Sequence, residues 1–174
     1  STRSLLAAQG VMEVSGLDYR ERTIVLAVRR WVEASRANDD DPRAAVAEAL
    51  HPIRLGGGVM SLDAILRNTS LAATRYVTVN CPGCASLAED EARLLHATSA
   101  VQRPGNEGIA LRLLADWLKP GAVRLTMTAL TGLARALIAE QHRLPFRYWC
   151  FPELNSANAN TNVIAATPTL ISLH

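Results

Sequence analysis

Two cysteines separated by two residues are the densest concentration of reactive chemistry in the chain, in the run Cys81-Pro82-Gly83-Cys84. Thiols with this spacing can chelate a metal ion or cycle between dithiol and disulfide. The alternating segment 76–80 before them predicts a short extended strand. Ser86, with Glu89 three residues later, predicts a capping box that starts a helix. The sequence therefore places the thiols at a corner between a strand and a helix.

The first interpretation of this corner is a metal site, with zinc as the candidate ion. Cys81 and Cys84 would supply two of the four ligands that a structural zinc ion takes. The chain contains no second CxxC and no HxxxH pair, so we take His96 as the third ligand. A lone CxxC is a weak signal, and the helical position of His96 is also typical of a core-edge histidine. Candidates for the fourth ligand are Cys150, His142 and His51.

The second interpretation is redox chemistry, in which a helix N-terminus beside Cys81 would lower the pKa of its thiol. The run 77–84, followed by a helix, resembles the strand–CxxC–helix corner of thioredoxin-like proteins. Segment 166–171 resembles the place where that family holds a cis-proline against its disulfide. The resemblance implies that Cys81 attacks, Cys84 resolves and Pro168 guides the substrate backbone. The residues before Cys81 predict helices instead of a β-α-β unit, so we do not adopt the family.

The third interpretation is a structural turn, which we favour. Pro82-Gly83 is typical of a β-turn, and small thiols often fill interiors without any chemistry. Other catalytic patterns, such as G-x-S-x-G and H-E-x-x-H, are absent from the sequence, which removes the hydrolase and metalloprotease classes that they mark. Whether the protein is an enzyme is left open.

The elements that hold the corner are predicted by helical periodicity. We expect a mostly α-helical fold, a single irregular bundle of about six helices within residues 1–149. The Gly56–Gly58 run predicts a flexible connection between helices in preference to a phosphate site. The predicted helix starts are Asp18, Asp41 with Pro42, Ser61, Ser86, Asn106 and Val123, and the last helix ends near His142.

The composition changes after residue 149. Residues 150–174 contain Glu153 as their single Asp, Glu, Lys or Arg, and they hold four of the eight asparagines. Segments poor in charge and in helical periodicity pack weakly. We therefore predict a low-charge Asn/Thr-rich tail that is disordered or non-native, and whose removal after Trp149 leaves the melting temperature nearly unchanged.

Length and charge limit the classes of partner. With 174 residues, of which 49% are hydrophobic, the chain can bury a full core as one domain. A net charge of +2 predicts no nucleic-acid partner. No uninterrupted apolar run approaches the ~20 residues of a membrane span, so no membrane partner is expected.

All 18 basic residues are arginine except Lys119, which indicates a GC-rich bacterial gene. Three cysteines without a secretion signal predict a cytoplasmic protein.

Together these observations predict a small bacterial cytoplasmic protein with an interaction or regulatory role. Metal binding at Cys81, Cys84 and His96 would tune that role. The alternative is a thiol-disulfide oxidoreductase that uses Cys81 and Cys84. The wide apolar arc of the sixth helix predicts a homodimer, and any other partner is expected to be a protein.

Overall fold

The computed structural model describes residues 13–38, 41–147, 149 and 151, together with the backbone of 172–173. Over this part of the chain the fold contains six α-helices, three short 3₁₀ helices and one two-stranded sheet. The predicted helical bundle is confirmed. The predictions for Cys150 and Pro168, and for most of the 150–174 tail, lie outside the described residues. The helices are α1 Tyr19–Arg36, α2 Pro42–Leu50, α3 Val59–Ala72, α4 Glu89–Val101, α5 Glu107–Trp117 and α6 Pro120–Ala139.

Two helix starts follow directly from the local sequence. The Asp18 carboxylate accepts the backbone N–H groups of Arg20 and Glu21, and the Glu21 carboxylate accepts the Asp18 N–H at 2.9 Å. This reciprocal capping satisfies N–H groups that the first turn leaves without partners. Asp41 caps α2 in the same way, through the N–H of Arg43. Both predicted starts are confirmed.

Two other helices begin earlier than predicted. α3 begins at Val59, so Ser61 lies inside its first turn and is not its cap. α6 begins at Pro120, three residues before the predicted start at Val123. Proline at the first helical position costs nothing, because its missing N–H would have no partner there. The Pro120 signal therefore marks a start.

The glycine run forms a 3₁₀ helix in the connection between α2 and α3, and its last residue, Gly58, is buried. A Cβ on Gly58 would lie 2.9 Å from Leu55 Cγ and 3.1 Å from Leu133 Cδ1. Such distances are shorter than a carbon–carbon contact, so only glycine lets this turn approach α6 closely. Gly58 therefore serves the packing of the core. Fully buried core residues around α6 include Leu50, Leu62, Leu113, Leu133 and Leu137.

Within the described residues, α6 is the one helix long and apolar enough to cross a membrane, by length and composition alone. The core helix of a bundle passes the same test. Its inward side is buried at Leu130 and Leu133, whereas Leu125 is 66% exposed and Ile138 is 50% exposed. α6 therefore has one face in the core and some apolar surface outside it.

The predicted strand before the cysteines is confirmed as β1, Thr78–Val79, which pairs in parallel with β2, Ser172–Leu173. The packed part of the chain also extends past the expected boundary at residue 149, because Phe151 is completely buried. Truncation after Trp149 would remove this side chain, and the expected effect of the truncation on the melting temperature stays a prediction.

Candidate functional site

Cys81 and Cys84 are joined by a disulfide bond within a tight turn. Their Cα atoms lie 5.2 Å apart, and the Cys84 N–H donates to the Cys81 carbonyl at 3.0 Å. This hydrogen bond closes a β-turn around Pro82-Gly83. Cys81 is exposed and Cys84 is half-buried. The turn expected from the sequence is present, and it carries a disulfide that solvent can reach.

Arg29, on α1, holds this turn from the protein interior. Its Nη1 donates to the carbonyl oxygens of Cys84 at 2.7 Å and Cys81 at 3.1 Å, and its Nη2 donates to the Ser86 carbonyl at 2.7 Å. Nε and Nη2 also donate to the two carboxylate oxygens of Glu91. A guanidinium has five N–H donors, and all five are used here. The side chain is 2% exposed, so the turn rests on a fully satisfied buried cation.

Glu91 joins the turn to the start of α4. Besides Arg29, its carboxylate accepts the backbone N–H of Ala88 at 2.8 Å and that of Asn80 at 3.2 Å. The bond to Ala88 caps α4, a role that the sequence had given to the Ser86–Glu89 pair. The backbone carbonyl oxygen of Ser86 instead accepts a hydrogen bond of 2.8 Å from the side-chain amide of Asn80. A single carboxylate thus ties together α1, the end of β1 and the start of α4.

The pairing of Arg29 with Glu91 was not predicted from the sequence. A signal was nevertheless available. Arg29 follows Val25 by four residues and precedes Val32 by three, and residues at these spacings share a helix face. Val25 and Val32 are both buried. An arginine between two inward-facing valines predicts a buried cation, which needs an acidic partner.

Asp90, the neighbour of Glu91, holds β1 on the same side. Its Oδ2 accepts the Thr78 N–H at 2.7 Å, and its Oδ1 accepts Arg75 Nη2 at 2.8 Å. Arg75 also binds Asp116 on α5 at 2.6 Å. Because Thr78 and Asn80 lie two residues apart in an extended segment, their N–H groups point the same way. Asp90 and Glu91 therefore bind alternate amides of the segment that leads into the disulfide.

The start of α4 lies farther from the disulfide than the thioredoxin-like resemblance implies. The helix begins at Glu89, with residues 85–88 between it and Cys84. The influence of a helix N-terminus falls off within about one turn. The acidic residues of the first turn of α4 are paired with arginines, Glu91 with Arg29 and Asp90 with Arg75, so this end of the helix presents little net charge to Cys81. The predicted lowering of the Cys81 thiol pKa by a helix N-terminus therefore lacks its structural basis.

A groove of about 420 Å³ lies beside the disulfide, between α1 and the end of β1. Val32 on α1 and Ala37 just past the end of that helix line one side, and Val79, Cys81 and Pro82 line the opposite side. The exposed side of the disulfide turn is therefore part of a concave surface. A change in this turn would change the shape of the groove.

His96, the third predicted metal ligand, packs in an aromatic cluster. It is 3% exposed, and its ring centroid lies 5.1 Å from that of Phe146 and 5.9 Å from that of Phe151. Burial, with a smaller contribution from Arg103, lowers the pKa of His96 to about 4. Its Nδ1 has no hydrogen-bond partner within the described part of the chain.

The structure does not bring the three predicted metal ligands together. The two cysteines are oxidised, and a disulfide offers no thiolate to a metal. Among the described residues, no group of three or more His, Cys, Asp or Glu side chains is placed to hold a metal ion. Zinc at Cys81, Cys84 and His96 therefore stays a prediction without structural support.

Comparison of the chain with protein-family models, with curated proteins and with solved structures finds no match. The corner is therefore interpreted from its own contacts.

Proposed function

We propose that this protein is a regulatory or interaction protein in which the Cys81–Cys84 corner is a redox-responsive element. The observation that carries the proposal is that the exposed Cys81 lines the 420 Å³ groove. Breaking the disulfide removes the cross-link that restrains Pro82-Gly83, the tip of the turn that forms one wall of this groove. The surface offered to a partner would then differ between the oxidised and the reduced protein.

The redox step requires a thiol reductant, for which we take a small cellular thiol. Its thiolate attacks the exposed Cys81 sulfur, the S–S bond breaks, and Cys84 leaves as a thiolate that takes up a proton. A second small thiol then attacks the mixed disulfide and releases the Cys81 thiol. Two small thiols are oxidised to one disulfide, and the protein gains two electrons and two protons. In the cytoplasm, the expected compartment, protein disulfides are typically transient or redox-sensing.

A thiol-disulfide oxidoreductase is the second candidate, with Cys81 as the attacking thiol and Cys84 as the resolving one. Such enzymes rely on a thiolate of lowered pKa. The first turn of α4 begins five residues after Cys84, and its acidic side chains are paired with arginines, so it offers no such activation. The corner therefore supports a responsive element better than a catalyst. Slow insulin-disulfide reduction, close to that of a free dithiol, is the expected result.

A second copy of the chain is the partner we propose for α6. The support is the exposure of Leu125 and Ile138, which flank the buried face of α6 on opposite sides, although the exposed Arg124 and Arg135 lie between them on the outer side of the helix. Light scattering at micromolar concentration should give a dimer mass, and Leu125→Arg should give a monomer. A monomeric unaltered protein would refute this part of the proposal.

The redox proposal is tested on the full chain with Cys150→Ser, so that Cys81 and Cys84 are its only thiols. Titration against a small-thiol redox buffer should give a midpoint within about −220 to −320 mV, the span of cytosolic thiol pools. Hydrogen exchange at residues 83 and 84 should rise on reduction, because the tip of the turn loses its cross-link while Arg29 still holds the carbonyl oxygens of the cysteines.

The matched control for this test is the double variant Cys81→Ser with Cys84→Ser. It should show the reduced exchange pattern whether or not thiol is present. Two results would overturn the proposal. One is a disulfide that resists excess thiol in the folded protein, and the other is reduction that leaves exchange at residues 83 and 84 unchanged.

A further inference from the structure

We propose that Arg29 and Glu91 are positioning residues that set the redox equilibrium of Cys81 and Cys84. Their ion pair holds the two cysteine backbones at disulfide separation in the dithiol state as well as in the oxidised state. The inference rests on the proposed function, because it concerns the control of that same corner.

The first step of the argument is that the contacts of Arg29 do not involve sulfur. Its Nη1 donates to the carbonyl oxygens of both Cys81 and Cys84. Carbonyl oxygens keep their lone pairs when the S–S bond is broken, so both hydrogen bonds can persist in the dithiol. The Cα atoms lie 5.2 Å apart, within the range of about 4.4 to 6.8 Å that a disulfide requires. A backbone held in this way keeps the two thiols within reach of each other.

The second step is that the guanidinium itself is immobile. Arg29 and Glu91 are 2% and 1% exposed, and two parallel hydrogen bonds of 2.7 and 2.8 Å join them. Glu91 is fixed in turn by the N–H groups of Ala88 and Asn80. The planar guanidinium of Arg29 is hydrogen-bonded along two of its edges, so it cannot rotate without breaking several charge-assisted hydrogen bonds at once. The turn is therefore anchored to helices on two sides.

The third step concerns charge. A lone buried cation beside two cysteines would favour their thiolates and hence the dithiol. Glu91 neutralises Arg29, so the pair fixes position with little net field. The main effect of the ion pair is then to order the backbone of the dithiol in advance. The dithiol therefore loses little further conformational freedom when the S–S bond forms. Loosening the pair gives the dithiol more freedom, and the equilibrium moves away from the disulfide.

The experiment measures the equilibrium constant between dithiol and disulfide for the full chain in a small-thiol redox buffer at pH 7. Arg29→Lys keeps the charge but loses the fork, and about a tenfold shift toward the dithiol is expected, equivalent to about 30 mV for this two-electron couple. Asn80→Ala removes the side-chain bonds to Ser86 and leaves no buried charge behind. It should shift the equilibrium in the same direction by a smaller factor.

Arg147→Lys is the matched control. Arg147 makes the same two-bond fork to a buried carboxylate, that of Glu21, at 2.8 and 2.6 Å, and none of its hydrogen bonds reaches the disulfide turn. The dithiol–disulfide equilibrium constant of Arg147→Lys should stay within about twofold of that of the unaltered protein. The pH dependence of alkylation should show equal thiol pKa values in Arg29→Lys and the unaltered protein, because the charge is conserved.

An unchanged equilibrium constant in a folded Arg29→Lys protein would overturn the proposal. So would a shift in Arg147→Lys as large as that in Arg29→Lys. If Arg29→Lys does not fold, the proposal is tested by Asn80→Ala instead. An unchanged equilibrium constant in Asn80→Ala would then overturn the proposal. Failure of the proposed function is distinguishable, since it appears as unchanged hydrogen exchange on reduction, whatever the value of the equilibrium constant.

Discussion

The Glu91 carboxylate receives two parallel hydrogen bonds from the Arg29 guanidinium, Nε to Oε1 at 2.7 Å and Nη2 to Oε2 at 2.8 Å, with both side chains almost wholly buried. Taking two charges out of water is costly, and here the cost is offset because every donor of the guanidinium finds an acceptor. Removing either partner would leave an uncompensated buried charge. The pair is therefore sensitive to single substitutions.

Glu91→Gln should lower the free energy of unfolding by about 3 to 5 kcal/mol, because it strands the Arg29 charge in the interior. Urea denaturation measures the loss. Arg30→Ala is the control on the next residue, since Arg30 pairs with Glu33 at the surface, where the side chains are 51% and 54% exposed. Such a pair contributes at most about 1 kcal/mol. An equal loss of unfolding free energy in Glu91→Gln and Arg30→Ala would contradict the burial of the Arg29–Glu91 pair.

Acid should destabilise the protein through His96. Its pKa is about 4 in the folded state, below the ordinary 6.5, so the unfolded chain binds the proton more tightly. The contribution of His96 to stability is complete above pH 6.5, declines as the pH falls, and is lost below about 4. This difference amounts to roughly 3 kcal/mol.

Stability measured from pH 7 to pH 4 should therefore fall less steeply in His96→Leu than in the unaltered protein. His51→Gln, at an exposed histidine, is the control and should follow the unaltered profile. Parallel profiles for His96→Leu and the unaltered protein would show that His96 is not buried in its neutral form.

Zinc binding by the reduced protein should not depend on His96. Thiolates at Cys81 and Cys84 can bind zinc only after reduction, and His96 packs against Phe146 and Phe151. In a competition assay with a chelator, Cys81→Ser should weaken zinc binding by more than about tenfold. His96→Ala should leave the affinity within about twofold. Equal losses in both variants would mean that reduction brings His96 to the corner.

Phe151 should contribute strongly to stability, although it lies in the segment expected to be a weakly packed tail. Phe151→Ala removes a completely buried ring and should cost about 3 to 5 kcal/mol. For a chain of this size the melting temperature should fall by roughly 6 to 20 °C. Leu71→Ala, at a side chain that is 84% exposed, should change stability by less than about 0.5 kcal/mol. A loss of stability below about 1 kcal/mol in Phe151→Ala would support the expected end of the packed domain at residue 149.

The glycine run offers a second matched pair. Gly58→Ala forces a methyl group against Leu55 and Leu133, and such overpacking costs about 1 to 3 kcal/mol. Gly56→Ala meets nothing within 4 Å, so it should be neutral or slightly stabilising, by at most about 1 kcal/mol. Thermal unfolding of the two variants checks the difference. A neutral Gly58→Ala would mean that the 3₁₀ turn does not pack closely on α6.

Helix starts show which local features could be predicted. Asp18 and Asp41 bond to amides two or three residues away, and such short-range bonds are written into the sequence spacing. Ser86 offers an equally good local pattern, yet α4 begins at Glu89. The Ser86 carbonyl is bound by Arg29, a residue from another helix, and this tertiary contact overrides the local preference.

By itself the sequence determined the helical periodicity, the extended segment before the cysteines and the turn at Pro82-Gly83. Each of these depends on residues within a few positions of one another, where spacing and backbone preference act directly. Only the tertiary structure joined Arg29 to Glu91, 62 residues away, and separated His96 from the disulfide. Contacts over such distances depend on how the helices pack, because a side chain finds its partner only after the core has set which faces meet.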